Sequence, residues 1–288
     1  MKKIFLLLVA LSAIIIAQNN NPEITLKEIK DHITYLASDE LEGRMTGTDA
    51  LYKAAEYLKD EFESYGLKPF FDGSYFQEFP FMEKLELGSE NILVTEFREV
   101  NSPGGRYSKL KEEFIPLSFT DNLSIECQVV FAGYGISAKE LNYDDYTNID
   151  VKDKIVVVFR NHPDMKSPHS KFEQYSSLRY KTTTARDKGA KGIIFVNTSD
   201  KTDDPLIELR YDNAAKITGI SAISIKRDLL GYIPLKDLQN KIDSTLSPDS
   251  YLVEPDHLTI SISTEIIEVQ GKSVNVGAYL EPLNKKFN

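Results

Sequence analysis

Cysteine is nearly absent from this sequence. Cys127 is the one cysteine among 288 residues, so no disulfide can form within the chain and no cysteine-based zinc site can be assembled. Cys127 lies in the apolar-rich segment 125–132, which predicts a buried strand residue rather than a nucleophile. Stability must therefore come from packing.

The sequence also has fewer positively charged residues than negatively charged ones. The chain carries 34 Lys and Arg against 44 Asp and Glu, a net charge of −10, so bulk charge excludes a nucleic-acid-binding protein. The composition is 41% hydrophobic and 27% charged, which is typical of globular proteins and excludes disordered and collagen-like chains. The length allows one or two domains.

No apolar run is long enough to span a bilayer comfortably. Residues 4–17 are apolar except Ser12 and follow Lys2 and Lys3, which predicts an export signal at 1–17 with cleavage after Ala17. We therefore expect an acidic protein in the periplasm or outside the cell. An uncleaved anchor is the alternative, and a membrane is an expected partner only in that case.

Hydrophobic periodicity divides the chain into helical and β-rich parts. Thr25 and Glu28 form a predicted capping box ahead of a first helix, and Thr48 is the predicted cap of a second. Residues 75–161 are rich in short β-branched and aromatic runs separated by turn residues. The segments that follow are predicted as a helix at 178–188, strands at 192–196 and 220–225, a helix at 234–242, and strands at 258–269 and 274–280.

Histidine offers little for a metal centre, because only four are present. His32 has no His or Cys partner at i+4 and His257 opens a predicted strand, so both are predicted to be structural or to lie at the surface. His162 and Asp164, with His169 five residues after Asp164, form the one local cluster of possible ligands. A polar loop and a weak metal site both remain open interpretations there.

Two further patterns have a chemical and a structural interpretation. Gly133 and Gly135 follow a strand, as in a dinucleotide-binding loop, but 139–150 lacks the apolar stripe of the required helix, so backbone turns are favoured. Asp144, Asp145 and Asp150 could hold calcium, but they lack the ligand spacing of a dedicated loop, so solvated loop charge is favoured. No His-Glu-x-x-His and no Gly-x-Ser-x-Gly motif is present, so serine-hydrolase chemistry has no support.

A long stretch near the amino terminus resembles a known family. Residues 32–48 (HITYLASDELEGRMTGT), the following helix, the stop at 66–69 and the segment 75–80 closely resemble the opening of exported bacterial zinc aminopeptidases, related to aminopeptidase S and glutamate carboxypeptidase. The resemblance implies a zinc-dependent peptide hydrolase with an α/β catalytic domain.

The middle of the chain resembles the protease-associated (PA) domain that many of those enzymes contain as an insertion. The similar segments are 129–135, 143–146, 150–157 and 181–196. The resemblance implies an α/β (α+β) fold in which a β-rich PA domain with flanking helices is inserted into an incomplete peptidase domain. The expected boundaries are 24–99 for the first peptidase segment and 100–250 for the PA domain. In residues 251–288 we expect the chain to return to the peptidase domain, which is truncated there.

The zinc ligands of that family have no counterpart here. In the family, the strand similar to 273–280 leads to a later strand that supplies a His-x-Asp ligand motif, and a Glu-Glu pair comes later still. We therefore expect no catalytic residue, no metal ligand and no cofactor in this chain, zinc belonging to the full-length family. The expected function is the PA-domain-bearing amino-terminal part of an exported zinc aminopeptidase, inactive alone, with peptides, proteins or the missing catalytic half as partners. The alternative is a stand-alone exported protein- or peptide-binding module.

Overall fold

The structure, a computed structural model, describes residues 24–99, 102–198, 203–211, 218–252 and 258–281. The predicted signal at 1–17 and His257 lie outside these residues. The described α-helices are α1 (Leu26–Leu36), α2 (Asp49–Ser64), α3 (Leu178–Asp187) and α4 (Leu235–Thr245). Within the described ranges, none of them is long and apolar enough to cross a membrane.

The strands are short except for two that pair as a separate ribbon, β2 with β14. In chain order they are β1 (Lys68–Pro69), β2 (Phe76–Leu87), β3 (Ile92–Glu99), β4 (Ser102–Tyr107), β5 (Phe114–Pro116), β6 (Ser124–Ala132), β7 (Ser137–Ala138), β8 (Tyr143–Asp144), β9 (Ile155–Phe159), β10 (Gly192–Val196), β11 (Ser221–Ile225), β12 (Ser250–Leu252), β13 (Leu258–Ser263), β14 (Ile266–Val276) and β15 (Ala278–Tyr279).

The chain divides into two compact units. The first consists of Met1–Met82 and Gln270–Asn288, and the second of Glu83–Val269. The segment 100–250, expected to form the PA domain, lies inside the second unit.

Helices α1 and α2 of the first unit begin where their capping residues predict. The Thr25 side chain accepts from the backbone of Glu28, the Glu28 carboxylate accepts from the Thr25 backbone, and Thr48 caps α2. The apolar stripe of α1 is nevertheless open to solvent, because Ile33 is 60% exposed and no residue of α1 is buried. The stripe therefore contributes little of the burial that normally stabilises an amphipathic helix.

A nine-stranded sheet forms the centre of the second unit. Its order is β4-β3-β13-β6-β9-β10-β11-β5, with β12 also pairing β6. Strands β6, β9, β10 and β11 run parallel, and the runs IVVVF of β9 and GIIFV of β10 are fully buried. Continuous apolar runs of this kind are typical of parallel strands that are covered on both faces.

A helix covers each face of the parallel strands. On one face Ala185 of α3 packs in a core with Val156 and Ile193, and on the other Leu238 of α4 packs in a core with Val157. The predicted α/β fold class is confirmed. In this arrangement the carboxyl ends of the parallel strands lie at one edge of the sheet, where ligands bind in open α/β folds.

Cys127 differs from its prediction. It lies in β6 as expected but is half-buried rather than buried, because the first half of β6 alternates between the core and solvent and only its second half is covered on both faces. Burial raises the pKa of the Cys127 thiol, which disfavours the reactive thiolate.

Candidate functional site

The turn after β6 is fixed by two glycines and a buried aspartate. Gly133 and Gly135 have φ angles of +50° and +68°, a region that L side chains rarely adopt. A Cβ atom on Gly133 would also lie 2.3 Å from Oδ1 of Asp145. The glycines therefore serve the backbone turn, as the sequence favours.

The interpretation of Asp145 as solvated loop charge is wrong. Asp145 is 1% exposed, and its carboxylate accepts from the backbone N–H groups of Tyr134 and Ile136, both at 3.0 Å, and from the Tyr143 hydroxyl at 2.8 Å. Burial raises the pKa of Asp145 to about 7, and the N–H group of Ile136 opposes that shift most strongly. These three donors explain how a carboxyl group is tolerated in the core.

The other two aspartates of the loop have separate partners. Asp144 accepts from the backbone of Tyr146 and forms an ion pair with Lys188, whereas Asp150 accepts from the backbone and side chain of the segment 152–154. The three carboxylates thus serve three different local contacts, and nothing in this arrangement resembles a shared calcium site.

Lys181 is a buried charged residue that sequence analysis missed. It is fully buried, and its ammonium donates to the backbone oxygens of Phe159, at 2.8 Å, and Asn161. Burial lowers the pKa of Lys181 to about 7, and the charge of Asp145 works against that shift. A signal was available, because Lys181 occupies the apolar face of α3 between Leu178 and Ala185 at helical spacing.

The side chain of His162 forms hydrogen bonds within its own loop. Its Nε2 lies 3.0 Å from a Glu173 carboxylate oxygen, and its Nδ1 accepts from the backbone N–H of Asp164 at 3.2 Å. A histidine with both ring nitrogens engaged has none left for a metal, so the weak metal site does not form at His162. His169 is exposed, and no group of three His, Cys, Asp or Glu residues in the described part of the chain could hold a metal ion.

His32 is engaged in a similar way within the first unit. Its Nδ1 lies 2.6 Å from the Tyr57 hydroxyl, and its Nε2 lies 3.3 Å from the Tyr65 hydroxyl. The ring also contacts Tyr57 edge to face, with centroids 6.0 Å apart. These contacts give His32 a structural role in joining α1 to α2.

A cavity of about 130 Å³ opens at the carboxyl edge of β6, β9 and β10. Tyr134 donates its hydroxyl to Asp243 at 2.7 Å, and Gln239 donates to the other oxygen of Asp243 at 3.1 Å. These contacts join the turn after β6 to α4 across the cavity. Its lining residues are Tyr134, Asn161, Pro163, Asp164, Met165, Lys166, Thr198, Gln239 and Asp243.

A larger concavity of about 600 Å³ lies on α1 and α2. Its carboxylates include Glu40, Glu56 and Asp60, whose side chains are 62%, 59% and 68% exposed. Charges so open to water are held loosely and are screened by salt. The carboxyl-edge cavity, whose lining includes the buried side chains of Tyr134, Thr198 and Gln239, is the stronger candidate site.

Comparison with known proteins identifies the region that carries this cavity. Residues 124–230 match the PA domain family. The chain contains a PA domain. The matched residues include every cavity residue from Tyr134 to Thr198, while Gln239 and Asp243 on α4 lie just beyond the match. No curated protein matches the chain.

Several solved structures resemble the chain at low identity. An aminopeptidase from Aneurinibacillus sp. strain AM-1 has 19% identity and a TM-score of 0.43, over 89% of this chain and 48% of its own. The zinc aminopeptidase BSAP from Bacillus subtilis has 16% identity and a TM-score of 0.37, over 85% and 46%. A peptidase M28 precursor from Shewanella amazonensis SB2B has 17% identity and a TM-score of 0.32, over 86% and 50%. This chain spans about half the length of each.

Proposed function

We propose that this chain is the PA-domain-bearing part of an exported zinc aminopeptidase, and that its own contribution is to bind peptide or protein segments. The observation that carries the proposal is the PA domain at 124–230. The peptidase-like stretch at 32–48 supports the link to aminopeptidases, and the predicted signal at 1–17 supports export.

The proposal assigns the zinc ligands to polypeptide other than these 288 residues. The described residues do not fit a catalytic zinc site, which requires about three ligands and an open position for water. His162 engages both ring nitrogens within its loop, and His32 contacts two tyrosine hydroxyls through its ring. We therefore derive no hydrolytic step from this chain.

The binding role is supported by the carboxyl-edge cavity. Its walls combine residues that closely follow three parallel strands, which hold them in place, with polar side chains from a loop and a helix. Rigid walls with a few polar groups are what a recognition site requires.

The test is an assay of the recombinant chain for hydrolysis of an aminoacyl anilide with added zinc. We expect no hydrolysis above a buffer control, while the protein isolated from its host cleaves the anilide, loses activity to a chelator and regains it with zinc. Zinc-dependent cleavage by the recombinant chain alone would overturn the assignment of the metal site to other polypeptide.

A second candidate is a stand-alone exported binding module. It is favoured by one observation, that both hydrophobic cores of the second unit are built entirely from residues of that unit. A unit with its own cores can fold and bind without a catalytic domain. Translated DNA beyond codon 288 distinguishes the candidates, because a His-x-Asp motif and a Glu-Glu pair there support the aminopeptidase and unrelated sequence supports the module.

A further inference from the structure

We propose that His162 is a pH-sensitive switch in the loop that forms one wall of the carboxyl-edge cavity. The neutral imidazole holds the backbone at Asp164, and the protonated imidazole releases it. This inference goes beyond the proposed function and does not depend on it, because it concerns the loop and no ligand. The loop residues that line the cavity are Asn161, Pro163, Asp164, Met165 and Lys166. A change in the loop therefore changes the cavity.

The two contacts of the His162 ring specify one neutral form. The backbone N–H of Asp164 donates to Nδ1 at 3.2 Å, so Nδ1 carries no hydrogen. A neutral imidazole then carries its hydrogen on Nε2, which donates to the Glu173 carboxylate at 3.0 Å. His162 is 2% exposed, so these protein groups, and not water, satisfy the ring.

Protonation of His162 removes one of the two contacts. An imidazolium carries a hydrogen on each ring nitrogen, so Nδ1 becomes a donor that faces the N–H of Asp164, which is also a donor. The gain on the other side of the ring is small, because the Glu173 side chain is 76% exposed and an ion pair open to water is screened. Histidine is the side chain whose charge changes between pH 5 and 8, and this sets the range in which the switch is tested.

The loop is anchored on both sides of the switch. Before it, the Lys181 ammonium donates to the backbone oxygens of Phe159 and Asn161. After it, the Phe172 ring contacts Tyr143 edge to face, with centroids 5.0 Å apart, and both rings are buried. Loss of the hydrogen bond to Nδ1 is therefore taken up by the loop residues between these two anchors.

Other titratable groups surround the loop. From the packed elements and the loop itself they are Tyr134 in the turn after β6, Glu173 on the 3₁₀ turn Glu173–Tyr175, Lys181 on α3, Asp243 on α4, and Asp164 and Lys166. Burial lowers the pKa of Lys181 to about 7, so Lys181 also changes charge in the tested range. Its neutral amine still has N–H groups to donate, so this titration does not remove the donor from the loop backbone. Only the acceptor at Nδ1 is lost by gaining a proton.

Met165 reports the state of the loop. It is 54% exposed and lines the cavity, and the chain contains only four methionines. The test follows the NMR signal of the Met165 methyl group, assigned with Met165→Leu, in the complete chain with isotope-labelled methionine methyl groups. Between pH 8 and pH 5 we expect this signal to move from one position to another through a single transition.

His162→Asn separates the switch from the other titrating groups. The asparagine side-chain oxygen can accept from an N–H two residues later, as in an Asx turn, and it does not titrate. We therefore expect Met165 to keep its pH 8 position throughout. His169→Asn is the matched control, because His169 is exposed in the same part of the chain, and it should leave the transition unchanged. A transition that persists in His162→Asn would belong to another group, such as Lys181, and would overturn the inference.

The imidazole ring provides a second measurement that needs no variant at His162. The chain has four histidines, so their ring nitrogens can be resolved by NMR after nitrogen labelling, and single variants of the other three assign the His162 signals. We expect the Nε2–H tautomer at pH 8 and a doubly protonated ring at pH 5. An Nδ1–H tautomer at pH 8, a ring that is still neutral at pH 5, or protonation without a change at Met165 would each contradict the switch.

Discussion

The Tyr134 hydroxyl donates a 2.7 Å hydrogen bond to the Asp243 carboxylate, joining residues that lie 109 positions apart in the sequence. Tyr134 stands in the turn after the first parallel strand, and Asp243 stands near the carboxyl end of the helix that crosses the sheet. The bond therefore fixes the width of the carboxyl-edge cavity.

Removal of this bond should weaken the second unit. Tyr134→Phe deletes the donor to a charged acceptor, and we expect the free energy of unfolding to fall by about 1–2 kcal/mol. Chemical denaturation measures the loss. Tyr107→Phe is the control, because Tyr107 is 74% exposed. Equal stability of the two variants would show that the Tyr134 bond contributes nothing.

The turn before Tyr134 should not tolerate a side chain at its first glycine. Gly133→Ala places a Cβ atom against Asp145 at a positive φ, and we expect a loss of stability well above the roughly 1–2 kcal/mol of the backbone term alone. Gly189→Ala is the matched control, since it also has a positive φ but its Cβ would meet neighbours only at 3.5 Å or more. Thermal unfolding of both variants gives the comparison, and equal losses would contradict the close contact.

Asp145 should give stability a distinctive pH dependence. Its pKa is about 7 when folded, against 3.8 for the free side chain. Between pH 4 and 7 the folded protein therefore holds a proton that the unfolded chain has lost, and stability falls as pH rises.

Asp145→Asn removes this titration and serves to measure it. Between pH 5 and 7 we expect the native protein to lose roughly 2 kcal/mol relative to the variant, since one pKa unit corresponds to about 1.4 kcal/mol. Denaturation curves at both pH values measure this difference in stability. Asp144→Asn is the control, because Asp144 is the neighbouring aspartate and is only half-buried. Parallel pH profiles for Asp145→Asn and the native protein would refute the burial of a titrating carboxyl group.

Helix α1 should open before the second unit. Its apolar stripe is exposed at Ile29 and Ile33, so little tertiary packing opposes local unfolding of an 11-residue helix. Limited proteolysis followed by mass spectrometry should show cleavage within 26–36 while 124–198 is still intact. Equal resistance of the two regions would mean that α1 is held by contacts we have not recognised.

Much of the second unit could be predicted because its sequence patterns are local. Strand β10 has the expected bounds 192–196, since it is a run of five apolar residues between turn residues. Helix α3 stops before Gly189, whose φ of +95° ends a helix without strain. Patterns of this kind depend only on neighbours in the sequence.

The features that the sequence patterns did not predict depend on contacts between distant parts of the chain. Nothing local indicates that Asp145, in an acidic and turn-rich stretch, accepts from the backbone of a turn around residue 134. The predicted strand 258–269 is broken at Thr264 and Glu265, where the side chains of Asn91 and Asn122 bind the backbone of Glu265 and Ile266. The cavity likewise needs α4, which reaches the strand ends only through the tertiary fold.

The central claim is that these 288 residues work as the PA-domain-bearing part of a zinc aminopeptidase. The most direct measurement is the intact mass of the native protein, captured from its own host with an antibody to 124–230, together with that of any polypeptide that stays bound. We predict a polypeptide much larger than the 32.6 kDa of this chain, or this chain with a zinc-containing partner. A single species slightly below 32.6 kDa, with neither partner nor zinc, would contradict the claim.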